Sequence, residues 1–360
     1  MLSKFYYYFF IPAAIFQSVI IGGGYATGRE IVEFVTRNNP IGGFISLAVI
    51  TVTFSLVMSI SFAFAKKFAK FDYRGFLTAL LGKFWIAYEI CFGLLLIIII
   101  AVVCSAASQT ILNTFGLSAS YTLILTAVLI IGFSFLGGNF IEKSLSCWTI
   151  VILISAVAFF FATDSHSNIL ETLNRTSEFE PTSSLKSGFM FALYNSALIP
   201  VLIYSIKYIP NVKIAALSGV FTGIVGVAPA FLLHLSLMGD YPEIIAIEVP
   251  VFWKLEQLSL LKSQYIYVTA LFGTLILTAV GILRGVTERI NGWLTEKNRP
   301  LLSKKYECLI TGTIIFASLA LSQVGIIALV SKGYSLLGWA FFFIFTVPLL
   351  SAGIYKIYKN

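Results

Sequence analysis

One short stretch of the chain reads Gly22-Gly23-Gly24-Tyr25-Ala26-Thr27-Gly28-Arg29-Glu30 and follows an apolar segment that begins at Phe5. Each glycine costs about 1 kcal/mol relative to alanine inside a helix, so the run favours a break in the helix. Unwound backbone at membrane depth is tolerated only where it is buried in protein or lines a cavity. The stretch therefore predicts a broken membrane helix that forms part of a binding site.

The composition of the whole chain supports that setting. Of its 360 residues, 58% are hydrophobic and only 11% are charged, which lies outside the range of soluble domains. The apolar runs are continuous and about 20 residues long, as membrane helices require, whereas barrel strands are shorter and alternate. The first run continues past any cleavage site of a signal peptide. The sequence predicts an all-α polytopic membrane protein.

The apolar runs predict ten transmembrane helices. They lie near residues 5–36, 40–65, 84–112, 119–136, 145–163, 187–206, 213–238, 264–288, 307–322 and 333–355.

Charge is distributed unequally between the two sets of loops. With the N-terminus in the cytoplasm, the cytoplasmic loops carry most of the lysine and arginine, for example Lys66, Lys83, Arg289 and Lys305. The opposite loops are acidic, with Asp164, Glu171, Glu178 and Glu180 in one and Asp240, Glu243, Glu248 and Glu256 in another. This bias predicts that both termini are cytoplasmic. It also accounts for the net charge of +8 without a nucleic-acid partner.

Ten spans divide into two sets of five, residues 1–163 and 187–360, around an extracellular linker, 164–186. Five is odd, so the second set crosses with the opposite orientation, and an inverted repeat is permitted. The loops after the second span of each set match in length, 66–83 on one side and 239–263 on the other. The second of these mixes apolar and acidic positions, which predicts a helix on the surface over an outer vestibule.

A second break is predicted in Phe191-Ala192-Leu193-Tyr194-Asn195-Ser196-Ala197-Leu198-Ile199-Pro200. Asparagine and serine compete for backbone hydrogen bonds, and Pro200 removes the donor for the carbonyl of Ser196. A simple proline kink is the alternative. The position favours a site, because this span begins the second half as 5–36 begins the first.

The first stretch, with the ten-span layout, resembles the first-helix signature of the YkvI-like bacterial membrane proteins. That family is similar to the amino acid–polyamine–organocation transporters and is classed with amino acid permeases. The resemblance implies the LeuT-type fold, in which two inverted five-helix repeats have broken first and sixth helices. It also implies a multi-pass protein of the bacterial cytoplasmic (inner) membrane.

Both breaks offer groups that suit a zwitterion. Amides at the start of an outer half-helix attract a carboxylate, and the carbonyls of Ile20 to Gly22 suit a cation or an ammonium group. The predicted substrate-binding residues are Gly22, Gly23, Gly24, Tyr25, Ala26, Thr27 and Gly28 in the first break, with Tyr194, Asn195 and Ser196 in the second.

Three charged residues follow the first break at membrane depth, where an unpaired charge costs several kcal/mol. Arg29, Glu33 and Arg37 are spaced four apart, so they can pair along one helix face. Glu30 lies off that face. It is the predicted carboxylate for proton coupling or for contact with a substrate amine, and the alternative is a carboxylate that only stabilises the helix start.

Two further faces are candidates. Ser105, Ser108 and Gln109 share a face of the third span and either line the pathway or join neighbouring helices. Thr274 and Thr278 lie on one face of the eighth span. The LeuT-type resemblance implies a sodium site between that helix and the first, for which Thr278 is the first choice and Thr274 the second. The coupling ion is thus Na+ or H+, and no other cofactor is expected.

The remaining chemistry-bearing residues lack ligand spacing. The four cysteines, Cys91, Cys104, Cys147 and Cys308, and His234 form no metal motif and are expected to be packed inside the protein. Arg284 and Glu288 are expected to pair across one turn, at the interface or as an inner gate.

The predicted function is a cation-coupled secondary transporter for a small amino-acid-like solute, working by alternating access in the lipid bilayer. A membrane sensor with a permease fold is the main alternative, and it would need partner subunits. A metal-ion transporter of the same fold ranks lower, because the second break lacks a methionine–histidine pair or a carboxylate. An enzyme is not expected, because the sequence has no His-Glu-x-x-His, Gly-x-Ser-x-Gly or nucleotide-binding motif.

Overall fold

The computed structural model describes residues 2–134, 154, 157–163, 172–173, 180–258 and 261–359. Most of the predicted fifth span, 145–163, and most of the predicted linker, 164–186, lie outside these residues, as does Cys147. Each of the other predicted spans overlaps one or more of the helices that follow.

Every regular element of the described residues is helical. The α-helices of the first part of the chain are α1 (Leu2–Phe5), α2 (Ile11–Ile20), α3 (Gly23–Ala26), α4 (Arg29–Phe34), α5 (Asn39–Lys67), α6 (Tyr73–Leu81), α7 (Trp85–Phe115) and α8 (Ala119–Ser134). Those that follow are α9 (Pro181–Ser196), α10 (Ile199–Leu202), α11 (Val212–Leu237), α12 (Pro250–Gln257), α13 (Leu261–Glu296), α14 (Lys304–Ser322), α15 (Ile326–Ala328), α16 (Ser335–Phe341) and α17 (Ile354–Lys359).

Shorter turns join or extend these helices. The 3₁₀ turns are Thr36–Asn38, Gly82–Phe84, Ile203–Ile206, Met238–Asp240 and Glu243–Ala246. The π-helical turns are Tyr6–Phe10, Leu329–Tyr334, Phe342–Thr346 and Leu349–Gly353.

Six helices of the described residues are long and apolar enough to cross a bilayer, and a bent pair of helices makes a seventh candidate. The six are Arg29–Lys67, Tyr73–Phe115, Val212–Asp240, Val268–Glu296, Lys304–Ser322 and Ile326–Lys359. Apolar helices of this length identify a multi-pass membrane protein. The count of ten crossings stays a prediction, because Tyr6–Ile20 and Ser120–Ser134 are apolar but shorter than the other candidates.

The core of the described bundle forms where α5 packs against α9 and α11. Small residues permit this close approach, since Gly223 lies against the backbone of Ser55 and Gly188 lies against that of Ser46. The broken segment of α2 to α4 packs on the same core through Phe16, whose ring meets Phe54 edge-on at 5.1 Å. Both broken segments are therefore held inside the protein, where irregular backbone is tolerated.

The two ends of the bundle differ in charge. We call the end that carries Lys66, Lys207 and Arg289 the basic end. Lys66 and Lys207 lie together there, and Lys66 Nζ donates to the carbonyl of Lys207 at 3.3 Å. The opposite end, formed by residues 239–257 between α11 and α13, is called the acidic end. As predicted for this loop, it contains a short helix, α12, which buries Val251, Phe252 and Leu255.

Candidate functional site

The first break is present where the glycine-rich stretch predicts it. Helix α2 ends at Ile20, Ile21 leaves the helical region with φ −77° and ψ 73°, and α3 lasts only one turn. Gly28 then adopts φ +80° ahead of α4, a left-handed conformation that costs other L-residues roughly 1–2 kcal/mol. A Cβ at this position would lie 2.9 Å from Cγ2 of Val251, so both conformation and space require glycine.

The second break is also present, as a 45° bend between Pro181–Ser196 and Ile199–Ile206. Tyr88 of α7 donates its hydroxyl to the carbonyl of Ala197 at 2.5 Å, which satisfies backbone that the bend leaves without a helical partner. Asn195 Nδ2 donates to the carbonyl of Phe191 at 3.0 Å and Ser196 Oγ donates to that of Ala192 at 2.6 Å. These side chains support the predicted competition with helical hydrogen bonding.

A cavity of about 260 Å³ lies between the two breaks. Five of the predicted substrate-binding and ion-coupling residues line it: Gly22 and Glu30 of the first break, Tyr194 and Asn195 of the second, and Thr278 of α13. The rest of the wall is mostly apolar and includes Phe92, Leu95, Leu96, Ile99, Leu198, Val201 and Ile282. A mostly apolar hollow with a few convergent polar groups is typical of a small-molecule site.

Glu30 is the acidic group of this wall. It is 5% exposed, and its Oε2 accepts a hydrogen bond of 2.5 Å from the hydroxyl of Tyr194. The ring of Tyr194 stacks on that of Tyr334 at a centroid distance of 4.6 Å. Tyr334 lies in the π-helical turn Leu329–Tyr334, and the sequence gives no periodic signal that would place it beside Glu30.

The predicted charge ladder is present on the other face of α4. Arg29 Nη2 lies 2.7 Å from Glu33 Oε2, and Arg37 Nη1 lies 2.9 Å from Glu33 Oε1. The Arg29 side chain is fully buried. Its Nη1 also donates to the carbonyls of Ile245 and Ile247, at 2.9 and 2.8 Å.

The acidic end is thus fastened to the first break. Besides the contacts of Arg29, the amide of Val251 donates to the carbonyl of Thr27 at 3.1 Å. Just beyond Ile247, burial raises the pKa of the Glu248 carboxyl, and the neighbouring Arg29 opposes that rise. Residues 239–257 therefore cover the acidic side of the break.

The basic side of the cavity ends at Arg289. Its guanidinium lies 3.6 Å from Glu89 and packs over the rings of Tyr73 and Phe92, at 4.1 and 4.3 Å from their centroids. A second cavity of about 580 Å³, lined by Trp85, Glu89, Arg289, Trp293 and Glu296 among others, shares Arg289 and continues toward the basic end.

Other predicted site residues lie off the cavity wall. Tyr25, Thr27 and Gly28 pack toward Phe191 and the acidic end, and Thr27 Oγ1 donates to the carbonyl of Gly24 at 2.8 Å. Ser108 Oγ and Thr122 Oγ1 of α8 share a hydrogen bond of 2.5 Å. Ser108 therefore joins two neighbouring helices and does not line the cavity. The group also includes the buried residues Gly24, Ser105, Ser196 and Thr274, and the half-buried Ala26. The hydroxyl of Thr274 donates to the carbonyl of Ala270.

Two further predicted contacts are present. His234 is packed inside the protein, with Nδ1 at 3.0 Å from Thr36 Oγ1 and Nε2 at 3.1 Å from the carbonyl of Pro40. Because that carbonyl only accepts, Nε2 is the donor and Nδ1 accepts from Thr36. Arg284 Nε lies 2.8 Å from Glu288 Oε1, and both side chains are about half exposed.

Within the described residues, no cluster of three or more His, Cys, Asp or Glu side chains has the arrangement of a metal site.

Comparison with known proteins identifies a shared fold. No protein-family model matches the chain, and no curated protein sequence matches it, so the resemblance to YkvI-like proteins stays a prediction. Among solved structures, the chain is similar to the manganese transporter of Eremococcus coleocola, crystallised with an aromatic bis-isothiourea substituted compound. The TM-score is 0.58 at 14% sequence identity, over 97% of this chain and 79% of that one. The chain therefore shares its helical fold with a membrane transporter.

Proposed function

We propose that the protein is a secondary active transporter that moves a small amino-acid-like solute, coupled to Na+ or H+. The observation that carries the proposal is the cavity, whose wall includes residues of both helix breaks. Paired breaks near the middle of the bilayer are where transporters of this architecture bind solute. The shared fold with a solved transporter supports the same class of function.

The pattern of helix contacts supports a repeat of five spans plus five, as the LeuT-type resemblance implies. In such a repeat, helices α2, α5, α7 and α8 of the first half correspond to α9, α11, α13 and α14 of the second half. The contact of α2 with α11 then has its counterpart in the contact of α9 with α5. The same correspondence relates α7 on α14 to α13 on α8, and α7 on α8 to α13 on α14. Contacts that occur in such pairs are expected from an inverted repeat.

Access to the cavity is unequal at the two ends. Residues 239–257 close the acidic side through Arg29 and Thr27, whereas the second cavity continues the path toward the basic end. With the basic end in the cytoplasm, this is an inward-facing state of an alternating-access cycle. Release of the acidic-end loop from Arg29 is then the step that admits solute from outside.

Three residues are candidates for ion coupling. Glu30 is a buried carboxylate on the cavity wall and can bind and release a proton. Thr278 of α13 also lies on the wall. It packs against Gly22, since a Cβ at position 22 would lie 3.5 Å from the Thr278 methyl group. Helix α13 therefore meets the first break, where the sodium site is expected. Thr274 is a weaker candidate, because its hydroxyl is engaged by Ala270.

A metal-ion transporter is the second candidate, because the structurally similar protein is a manganese transporter. The described cavity wall offers one carboxylate, from Glu30, and no histidine, cysteine or methionine. Carboxylates suit Mn2+, but a site for it usually gathers several oxygen ligands. The mostly apolar wall therefore favours an organic solute.

Uptake into proteoliposomes tests the proposal. Purified protein is reconstituted, and accumulation of labelled amino acids, related amines and Mn2+ is followed under an imposed sodium or proton gradient. The proposal predicts accumulation of an organic solute that stops when the gradient is collapsed by an ionophore. Binding without accumulation under either gradient would instead support a sensor, and accumulation of Mn2+ alone would support a metal transporter.

A further inference from the structure

The position of the Glu30 carboxylate bears on which solute the cavity takes. Glu30 lies in the first turn of α4, and its side chain reaches back to Gly24 of α3. A Cβ on Gly24 would overlap Oε1 of Glu30, and its next closest contacts are the Cδ and Cγ atoms of the same side chain. The glycine at position 24 therefore makes room for the carboxylate of the protein itself.

This arrangement changes the role of the first break. The amides from Gly24 to Gly28 are the groups that would suit a substrate carboxylate, and the protein places the Glu30 carboxylate beside the first of these residues, Gly24. A second carboxylate would lie close to the first in a low-dielectric surrounding, where like charges repel strongly. The cavity is consequently poor at holding an anionic group at this break.

The same wall is well suited to a cation. Among the described residues, neither a lysine nor an arginine forms an ion pair with Glu30, and its hydrogen-bond donor is the neutral hydroxyl of Tyr194. A buried, unpaired carboxylate is costly within a membrane protein, so a cationic ligand that pairs with it is favoured. The stacked rings of Tyr194 and Tyr334 lie beside it, and aromatic rings attract ammonium groups.

Arg289 is the cationic side chain on the described wall, and it is already engaged. It lies against Glu89 and packs over the rings of Tyr73 and Phe92, at the basic end of the cavity. If an α-amino acid bound with its ammonium group at Glu30, the Arg289 guanidinium would therefore offer little stabilisation to the carboxylate of that amino acid. The wall between the two ends is apolar and suits a hydrocarbon body.

We propose that the cavity selects small organic amines with an apolar body, whose ammonium group pairs with Glu30, over the α-amino acids of the same side chain. That the amine is carried across the membrane rests on the proposed transport function, whereas binding of the amine can be measured without a membrane. A proton and an ammonium group compete for the same carboxylate, and either one neutralises it.

That competition makes amine binding depend on pH. The titratable groups that face Glu30 from neighbouring elements are Tyr25 of α3, Tyr194 of α9 and Tyr334 of the π-helical turn. On its own element, Arg29 and Glu33 pair with each other, and from α11 His234 bonds Thr36 and Pro40 instead. Acidification protonates Glu30 and removes the ion pair, so amine binding weakens as pH falls.

Matched pairs of ligands test the proposal on the purified full-length protein. Each pair contains an amino acid and its decarboxylated amine, such as leucine with 3-methylbutylamine and phenylalanine with phenethylamine. Binding is measured by calorimetry and by the shift in thermal unfolding. We expect each amine to bind at least about tenfold more tightly than its amino acid, and more weakly at low pH.

Variants assign the effect to Glu30. Glu30→Gln is expected to lower amine affinity by about tenfold or more and to abolish its pH dependence. Gly24→Ala displaces the carboxylate without removing its charge, and is expected to weaken amine binding while the protein stays folded by size-exclusion chromatography. Glu288→Gln removes a half-exposed carboxylate that lies off the cavity, and is expected to bind amines as the wild type does.

Several results would overturn the proposal: tighter binding of the amino acid in each pair, unchanged amine binding by folded Glu30→Gln, or no binding of any amine. Uptake separates this failure from failure of the transport function. Amine binding without gradient-driven uptake would refute transport alone, whereas uptake of amino acids without amine binding would refute the amine assignment alone.

Discussion

Replacing Arg29 with methionine should release the acidic-end loop from the first break. Methionine keeps an unbranched apolar stem but removes the guanidinium, which donates to the carbonyls of Ile245 and Ile247. A hydrogen bond from a charged donor is worth roughly 1.5–3 kcal/mol, so losing two weakens docking of residues 239–257 by about 3–6 kcal/mol. Each 1.4 kcal/mol is about tenfold, so the docked state is disfavoured by about 10²- to 10⁴-fold.

Hydrogen exchange followed by mass spectrometry measures this release directly. Peptides covering 239–257 should exchange faster in Arg29→Met by about 10²- to 10⁴-fold, while peptides from the core helices α5 and α11 keep the wild-type rate. Arg37→Met is the matched control, because it removes the other partner of Glu33 and leaves both carbonyl contacts of Arg29 in place. Unchanged exchange of the loop in Arg29→Met would show that the Arg29 guanidinium does not hold the loop, and so would an equal effect in Arg37→Met.

Two further predictions concern the breaks themselves. Gly28→Ala should lower the free energy of unfolding by about 1–3 kcal/mol, because position 28 is left-handed and a Cβ there would press on Val251. Gly239→Ala is the control and should leave the free energy of unfolding nearly unchanged, because a Cβ at position 239 meets nothing within 4 Å. Denaturation in detergent checks both variants, and an equal stability of the two would contradict the assignment. Tyr88→Phe should cost roughly 1–3 kcal/mol by leaving the carbonyl of Ala197 without its donor, and a thermal midpoint equal to the wild type would argue against that role.

Features that depend on local spacing could be predicted from the sequence. The run from Gly22 to Gly28 indicates a break because glycine is costly in a helix, and the structure contains the break there. The spacing of Arg29, Glu33 and Arg37 predicts a ladder of ion pairs, because residues four apart share a helix face, and the structure contains both pairs. The same helical spacing predicts that Glu30 lies off the face of these three residues, and the structure places Glu30 on the cavity wall.

Features that join distant segments could not be predicted. Arg29 holds the acidic-end loop through main-chain carbonyls, and carbonyls carry no signature in a sequence. Helical spacing shows that Ser105 and Ser108 share a face but not which helix that face meets, and Ser108 turns out to bond α8. Tyr334 reaches Tyr194 from a π-helical turn near the other end of the chain, for which periodicity gives no signal.

The contact between Glu30 and Gly24 shows a third kind of limit. Both residues stand out in the sequence, one as a carboxylate at membrane depth and the other as part of a break. In the sequence they suggest two separate roles: the glycines would bind a substrate carboxylate, and Glu30 would couple transport to protons or contact a substrate amine. The structure brings the carboxylate to the glycine, so the two features lie together, and the proposed preference for amines depends on this contact.

We propose that the two breaks form a transport site in which Glu30 is the functional carboxylate. Gradient-driven accumulation of a labelled solute in proteoliposomes, compared among wild type, Glu30→Gln and Glu288→Gln, tests this role of Glu30. We expect wild type and Glu288→Gln to concentrate the solute until the gradient is collapsed, and Glu30→Gln to fail. Accumulation by Glu30→Gln at the wild-type rate and pH dependence, or none by the wild type under either gradient, would contradict the account.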